Sequence, residues 1–279
     1  MSSSVATAQQ LGQITGTIAL AGAGKMGGAM LSSWLSGGLA ANRVVVIEPH
    51  PSQEILALAA TGPRLNPPPG HAGAVDTLVI AVKPQSFREA GAALKPLIGP
   101  ATLVVSIMAG MPIATIGEIC GGAVVRAMPN TAAAIGRGIT VAVAAPDVGA
   151  AQRTVADALL RATGAVEWID DETLMDAVTA VSGSGPAYVF LLAEELARAG
   201  VEAGLPAELA TRLARETVAG SGELLHRSEL ASATLRQNVT SPGGTTAAAL
   251  DVLMGPNGLQ PLLTRAVAAA TRRSRELAG

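Results

Sequence analysis

Gly16–Gly38 reads GTIALAGAGKMGGAMLSSWLSGG. Its first seven residues are a continuous apolar run closed by glycine, the pattern of a strand buried on both faces. From Met26, MGGAMLSSWLSGG has the spacing of a helix that stops at Gly37 and Gly38. Between them lies Gly22-Ala23-Gly24-Lys25-Met26-Gly27, a G-x-G-x-x-G after a strand and at the start of a helix. In that place the first glycine permits a tight turn. The second lets backbone approach a pyrophosphate, and the third lets helix and strand pack closely. Free N–H groups at the helix start then face the phosphates. In a chain with 32 glycines the motif alone says little. Its position between strand and helix favours dinucleotide binding over a structural glycine turn.

The alternation continues outward. RVVVIE (Arg43 to Glu48), TLVIAV (Thr77 to Val82), TLVVSI (Thr102 to Ile107) and VVRAM (Val124 to Met128) read as further buried strands. Gly138 to Val143 and Val166 to Ile169 read as outer strands, separated by a helix over Ala150 to Ala162. Ser52 to Ala60 suits a helix, and Pro67, Pro68 and Pro69 break the chain into a loop. Strands alternating with helices predict an α/β fold, a Rossmann-type doubly wound parallel sheet. After Asp170 no convincing β run follows. Asp171 to Val181, Pro186 to Ala203, Pro206 to His226 and Asn257 to Leu277 carry helical spacing. The expected layout is a loose polar tail over 1–15, a dinucleotide-binding domain over 16–170 and a helical dimerisation and substrate domain over 171–279. Apolar residues such as Leu191, Leu192 and Ala199 outnumber the partners available in so short a helical segment, so dimerisation through it is expected.

Composition excludes several classes. Net charge is −2 and only five aromatic residues occur (Trp34, Phe87, Trp168, Tyr188, Phe190), which leaves neither a basic face nor stacking platforms for nucleic acid. No apolar run approaches the ~20 residues of a membrane span. The N-terminus lacks the basic and apolar regions of a signal peptide. Cys120, the single cysteine, allows no intrachain disulfide, is consistent with a reducing cytoplasm, and reads as a buried apolar residue rather than a nucleophile. One cysteine and three scattered histidines (His50, His71, His226) provide no metal-ligand set.

Several residues fall at the ends of the predicted strands, where a dinucleotide would lie. Glu48, at the end of the second, can accept from two ribose hydroxyls and would repel a 2′-phosphate, which leans towards NADH. Two alternatives stay open there: a solvent-facing glutamate, or His50 and Ser52 reaching a phosphate with Glu48 turned away. Ala81-Val82-Lys83-Pro84 ends the next strand, and Lys83 reads as a positioning or phosphate-steering residue. Ala109 belongs to the same edge, and Asn130 and Thr131 follow a strand that would bring them to the nicotinamide end. Ser241-Pro242-Gly243-Gly244-Thr245-Thr246 reads as a turn opening a helix, with Ser241 as cap, and its N–H groups suit a carboxylate.

GAGKMG, AVKPQ, RAMPNT (Arg126 to Thr131), SGSGPAY (Ser182 to Tyr188) and VTSPGGTT (Val239 to Thr246) come in an order and spacing that resembles the pyrroline-5-carboxylate reductases. The similarity runs from Thr17 to about residue 275, and VTSPGGTT is its most specific part. The resemblance implies reduction of 1-pyrroline-5-carboxylate to L-proline by NADPH or NADH, the last step of proline biosynthesis. It implies homodimers that assemble into larger rings, with an active site between the cofactor domain and helices of a partner subunit. It places Asn238, Ser241, Gly244, Thr245 and Thr246 around the substrate, with the Thr246 hydroxyl near the ring nitrogen. Glu48 and Pro49 stand where many NADPH-using relatives carry small hydroxyl or basic residues.

Reduction of a cyclic imine needs no acid–base triad, because the ring nitrogen can arrive protonated and the cofactor carries the difficult step. Gly183, Gly185 and Pro186 read as close helix packing. Two competing readings are another imine reductase or 3-hydroxyacid dehydrogenase on the same architecture, and a non-catalytic dinucleotide-binding protein. Hydroxy-acid enzymes usually place a lysine at the alcohol oxygen, and no lysine follows Lys95.

Overall fold

The structure, a computed structural model, describes residues 9–68 and 73–278. Eight strands form one sheet: β1 (Ile18–Ala21), β2 (Val44–Ile47), β3 (Arg64–Leu65), β4 (Val75–Ile80), β5 (Ile98–Ser106), β6 (Ala123–Met128), β7 (Gly138–Ala144) and β8 (Gly164–Trp168). Their order is β3-β2-β1-β4-β5-β6-β7-β8. Chain direction across the sheet reverses between β1 and β4, so the crevice beyond their carboxyl ends is the ligand position of a doubly wound sheet.

β1 shows why the continuous apolar run forms a strand. Ile18 and Leu20 join a core on one face with Met30, Trp34, Val46 and Leu159. Ala19 and Ala21 join the other with Val45, Leu78, Ile80, Phe87 and Ile116. Both faces are covered by helices, so both alternating sets are apolar. Trp34, with its ring fully buried, satisfies its indole N–H on the Leu159 carbonyl at 2.8 Å.

Four expectations change. The sheet is parallel from β3 through β6, but β7 pairs antiparallel with β6, and β8 runs parallel to β7. The β6–β7 connection, 129–137, is shorter than the dozen or so residues a parallel crossover needs. The short β3 lies just before the proline run and was not expected as a strand. A short helix, Ser232–Asn238, adds to the expected helices Gly185–Glu202, Ala207–Arg227 and Leu259–Ala278. The polar tail expected over 1–15 already contributes to the core, because Leu11 is 1% exposed and packs in the Trp34 cluster. The first part of that tail, residues 1–8, lies outside the described residues, as do Pro69 and His71.

The chain divides into two compact units, one holding the residues up to Gly183 together with those from Thr271 onward, the other Ser184–Ala270. The two units thus meet along the chain after Gly183. Residues 172–183 form a 3-10 turn (Glu172–Leu174), a helical turn (Met175–Val178) and a π turn (Thr179–Gly183) that count with the sheet. Ser274 is buried and donates to Asp176 Oδ1 at 2.7 Å, tying the end of the last helix to that segment.

Within Ser184–Ala270 much apolar surface is uncovered. Helix Gly185–Glu202 buries none of its residues, and Phe190, Leu191 and Leu192 are all at least half exposed. No helix among the described residues is long and apolar enough to cross a membrane.

Leu11→Ala is expected to lower the unfolding free energy by about 2–5 kcal/mol, the usual cost of emptying a buried leucine site. Urea unfolding of the two proteins measures it. A midpoint unchanged from the parent protein would return residue 11 to a floating tail.

Candidate active site

β1 and β4 end side by side, and the loop after β1 is shaped by missing side chains. Gly22 has φ +89°, a conformation glycine adopts without strain. A Cβ there would lie 2.7 Å from the Ala81 carbonyl oxygen. Gly27 is buried, and a Cβ on it would collide with the Gly22 carbonyl. The fold itself demands both glycines. Gly24 is different. Its φ is an ordinary −67°, it is exposed, and a Cβ built on it meets nothing within 4 Å.

No packing contact requires a glycine at 24, where it is a favoured N-cap residue and also leaves the backbone open to a ligand. Gly24 is also the N-cap of helix Lys25–Ser36, with no side chain capping it. The Gly28 N–H bonds to the Gly24 carbonyl at 2.7 Å, which leaves those of Lys25, Met26 and Gly27 without an acceptor inside the helix. N–H groups placed in this way could hold a phosphate-bearing group, and the residues present fit a dinucleotide.

Glu48 follows β2, half-buried, and both its carboxylate oxygens are engaged. Oε2 accepts the Ala23 N–H at 2.8 Å and Oε1 accepts the His50 N–H at 3.0 Å. The open alternative of a free, solvent-facing glutamate does not hold, because the carboxylate is tied to the glycine-rich loop. Ser52 caps helix Gln53–Ala59 by accepting from the Ile55 N–H.

The remaining edge residues lie where their strands end. Ala81 donates its N–H to the Ala21 carbonyl at 2.7 Å, Val82 is half-buried, and exposed Lys83 precedes the short turn Pro84–Ser86. Ala109 is exposed after β5, beside Gly110 with φ +68°. Asn130, after β6, is occupied within the chain. Its Oδ1 accepts from the Ile139 N–H at 3.3 Å, and its Nδ2 reaches the Ser182 hydroxyl at 3.5 Å.

The sequence reading gave no role to Arg126 and Glu172. Arg126 is buried on β6, and its guanidinium donates to Glu172 Oε1 at 2.8 Å. The same oxygen accepts the Ile113 N–H at 2.9 Å, so this carboxylate anchors the helix that follows the Ala109 turn. The Arg126 Nε is buried without a partner. A buried arginine in a strand is the one signal that could have drawn attention to it.

Burial pushes the Cys120 thiol above its ordinary pKa, against the opposing pull of Lys95, so it is a packed apolar group rather than a nucleophile. His50 and His226 are exposed. Among the described residues no cluster of His, Cys, Asp and Glu could hold a metal.

The segment 238–246 lies in the helical unit and is described by itself. Exposed Asn238 ends helix Ser232–Asn238. The Gly244 N–H bonds to the Ser241 carbonyl at 3.0 Å, and Gly243 has φ +69°. Pro242 and Gly243 thus occupy the two central positions of a turn, each residue suited to its place. The next helix, Thr245–Leu253, is capped by Gly244 and has no side-chain cap, so Ser241 is not the cap it was expected to be. The N–H groups of the first turn are left without a side-chain cap. Thr246 is half-buried in that first turn, beside exposed Thr245. Of the glycines read as close packing, Gly183 fits, since its Cβ would lie 2.5 Å from Met128 Cε, whereas Gly185 has no neighbour within 4 Å.

Residues 172–277 match the family of pyrroline-5-carboxylate reductase dimerisation domains, and 17–110 match the family described as NADP oxidoreductase, coenzyme F420-dependent. The pyrroline-5-carboxylate reductase of Pseudomonas aeruginosa is 40% identical over 95% of this chain and 97% of its own. This chain belongs to the pyrroline-5-carboxylate reductase family. Its fold is similar to that of the Coxiella burnetii pyrroline-5-carboxylate reductase, with TM-score 0.87 and 32% identity over 95% of this chain and 100% of that one. The Plasmodium falciparum pyrroline carboxylate reductase, solved with NADP bound, superposes with TM-score 0.79 at 29% identity, over 95% and 99% of the two chains.

The contrast between the glycines is testable. Gly24→Ala is expected to lower stability by no more than about 1 kcal/mol, the cost of a poorer N-cap, while weakening dinucleotide binding at least about tenfold. Gly27→Ala is expected to lose about 1–3 kcal/mol of stability through overpacking. Thermal unfolding without cofactor, alongside fluorescence titration with NADH and NADPH, separates the two. Equal affinity in Gly24→Ala and the parent would exclude dinucleotide binding at this helix start.

Proposed function

We propose that this protein reduces 1-pyrroline-5-carboxylate to L-proline, the last step of proline biosynthesis, using a nicotinamide dinucleotide held at the crevice between β1 and β4. The observation that carries the substrate assignment is the helix start inside VTSPGGTT, where Gly244 is the N-cap and no side chain covers the first turn. Its first-turn N–H groups present a positive dipole end suited to a small carboxylate. Asn238, Ser241, Gly244, Thr245 and Thr246 form this site. Bound nicotinamide supplies the hydride.

The work left to the chain is positioning. The backbone from Gly244 fixes the carboxylate and so orients the ring. The Thr246 side chain is a hydrogen-bond partner or proton conduit for the ring nitrogen, whose protonation makes the adjacent carbon electrophilic. At the other site the N–H groups of Lys25, Met26 and Gly27 hold the pyrophosphate, with Gly22, Ala23 and Gly24 giving it access. Ala81, Val82, Lys83, Pro84, Ala109 and Asn130 border the same crevice.

The lean towards NADH rests on the Glu48 geometry. Each carboxylate oxygen accepts one backbone N–H, which leaves each a lone pair for one of two vicinal ribose hydroxyls. A 2′-phosphate would meet a negative group that cannot turn away without giving up both bonds, each worth about 1.5–3 kcal/mol as a bond to a charged acceptor. The exposed leucine-rich helices of 184–270 support a homodimer, and larger rings of such dimers complete the assembly. The segment 171–279 serves as the dimerisation and substrate part of the chain, 16–170 as the dinucleotide-binding part. The lone buried cysteine fits a cytoplasmic enzyme.

Purified protein given 1-pyrroline-5-carboxylate should oxidise NADH faster than NADPH and form proline stoichiometrically. Thr246→Ala should lower kcat/KM by about 10²-fold, the lower end of what a positioned proton-transfer group contributes, with dinucleotide affinity unchanged. Binding of both dinucleotides without turnover would defeat the reductase assignment. Full activity in Thr246→Ala would remove that residue from the chemistry.

A further inference from the structure

Asn66 is, among the described residues, the one non-glycine position with a positive φ, +44°. It also precedes Pro67, which narrows its backbone choices further. Asparagine tolerates this region better than most residues, but the conformation persists only where surrounding bonds hold it. Here they do. The Asn66 N–H bonds to the Val46 carbonyl at 2.8 Å, continuing the parallel β2–β3 ladder after Val46↔Leu65. The side-chain amide then takes over where the ladder ends. Its Oδ1 accepts the Glu48 N–H at 2.8 Å and its Nδ2 donates to the Glu48 carbonyl at 2.7 Å. Both main-chain polar groups of Glu48 are therefore fixed by one side chain.

The consequence passes along the Glu48 side chain. With its backbone held on both sides, its carboxylate lies between the Ala23 and His50 N–H groups. We propose that Asn66 is a positioning residue for dinucleotide selection, locking Glu48 so that its carboxylate braces the glycine-rich loop and presents its remaining lone pairs to a ribose diol. The proposal rests on the reading of Glu48 as the group that favours NADH. Asn66 itself touches no part of the dinucleotide in this scheme. Its effect falls on the difference between NADH and NADPH, because a loosened Glu48 loses hydroxyl contacts and relaxes its repulsion of a 2′-phosphate.

Asn66→Gly keeps the backbone conformation accessible and removes only the amide, so it is the first variant. Asn66→Asp keeps an acceptor for the Glu48 N–H and loses the donor, and serves if the glycine variant is poorly folded. Dissociation constants for NADH and NADPH are measured by nicotinamide fluorescence. Hydrogen exchange of the Ala23 amide is followed in the protein without cofactor. In Asn66→Gly, NADH affinity should fall about five- to tenfold while NADPH affinity changes less than about twofold, and the Ala23 amide should exchange faster. The kcat at saturating NADH should stay within about twofold. Asn66→Asp should fall between this variant and the parent.

Equal weakening of both dinucleotides would mean a purely structural role and would overturn the proposal, as would an unchanged ratio with an unchanged Ala23 exchange rate. Glu48→Ser, measured in parallel, separates the two layers. If it shifts the NADH-to-NADPH ratio and neither Asn66 variant does, Asn66 alone is excluded. If Glu48→Ser leaves the ratio where it was, the reading of Glu48 fails and takes this proposal with it.

Discussion

Three backbone segments meet beyond the end of β1 at distances that admit no side chain: Gly22 against Ala81, and Gly27 against the Gly22 carbonyl. That contact fixes the start of helix Lys25–Ser36 directly over the crevice between β1 and β4. The aim of the helix N-terminus, the exposure of Gly24 and the reach of Glu48 to the Ala23 N–H all follow from it. A methyl group at either crowded glycine would push the helix away from the sheet, and with it the free N–H groups of its first turn.

Carboxylates do a particular kind of structural work along this edge. Glu48 accepts two backbone N–H groups, and Glu172 accepts one together with the Arg126 guanidinium. In each case a charged acceptor fastens a loop that follows a strand, where backbone donors have no ladder left to join. The exposed helical pairs Arg198–Glu195, Arg227–Glu223 and Arg273–Glu276 are solvent-screened and hold little. The charges that matter to the shape of the site are therefore few and lie where the sheet ends.

The helical unit follows a different logic. Helices Gly185–Glu202 and Thr245–Leu253 bury none of their residues, and Ala207–Arg227 buries only Ala210 and Ala214. Burial of apolar area is the main stabilising contribution to any helix too short to stand alone. Uncovered leucines at this density belong to a surface completed by a second copy, in keeping with the dimerisation family that residues 172–277 match. The few buried positions are alanines, so the helix pair approaches closely with little volume between.

The element order was legible because its signals are local. A buried parallel strand writes itself as an apolar run, a helix as a 3.6-residue period, and G-x-G-x-x-G as a turn between them. VTSPGGTT likewise carried its turn in Pro242 and Gly243. Local pattern does not record which distant segment a residue meets. Leu11 looked like part of a polar tail and proved to be core, since only the assembled sheet supplies its Trp34 neighbourhood. The β3 strand is too short for periodicity to register, and the antiparallel entry of β7 depends on how far residues 129–137 can reach. Glu48 was visible as a carboxylate at a strand end, but its partners Ala23, His50 and Asn66 were not. By itself the sequence determined most of the elements and the glycine-rich turn that joins β1 to the first helix of the sheet. The tertiary structure alone decided which donors each carboxylate holds, where the compact units divide and which way the last strands run, because those depend on contacts between residues far apart in the chain.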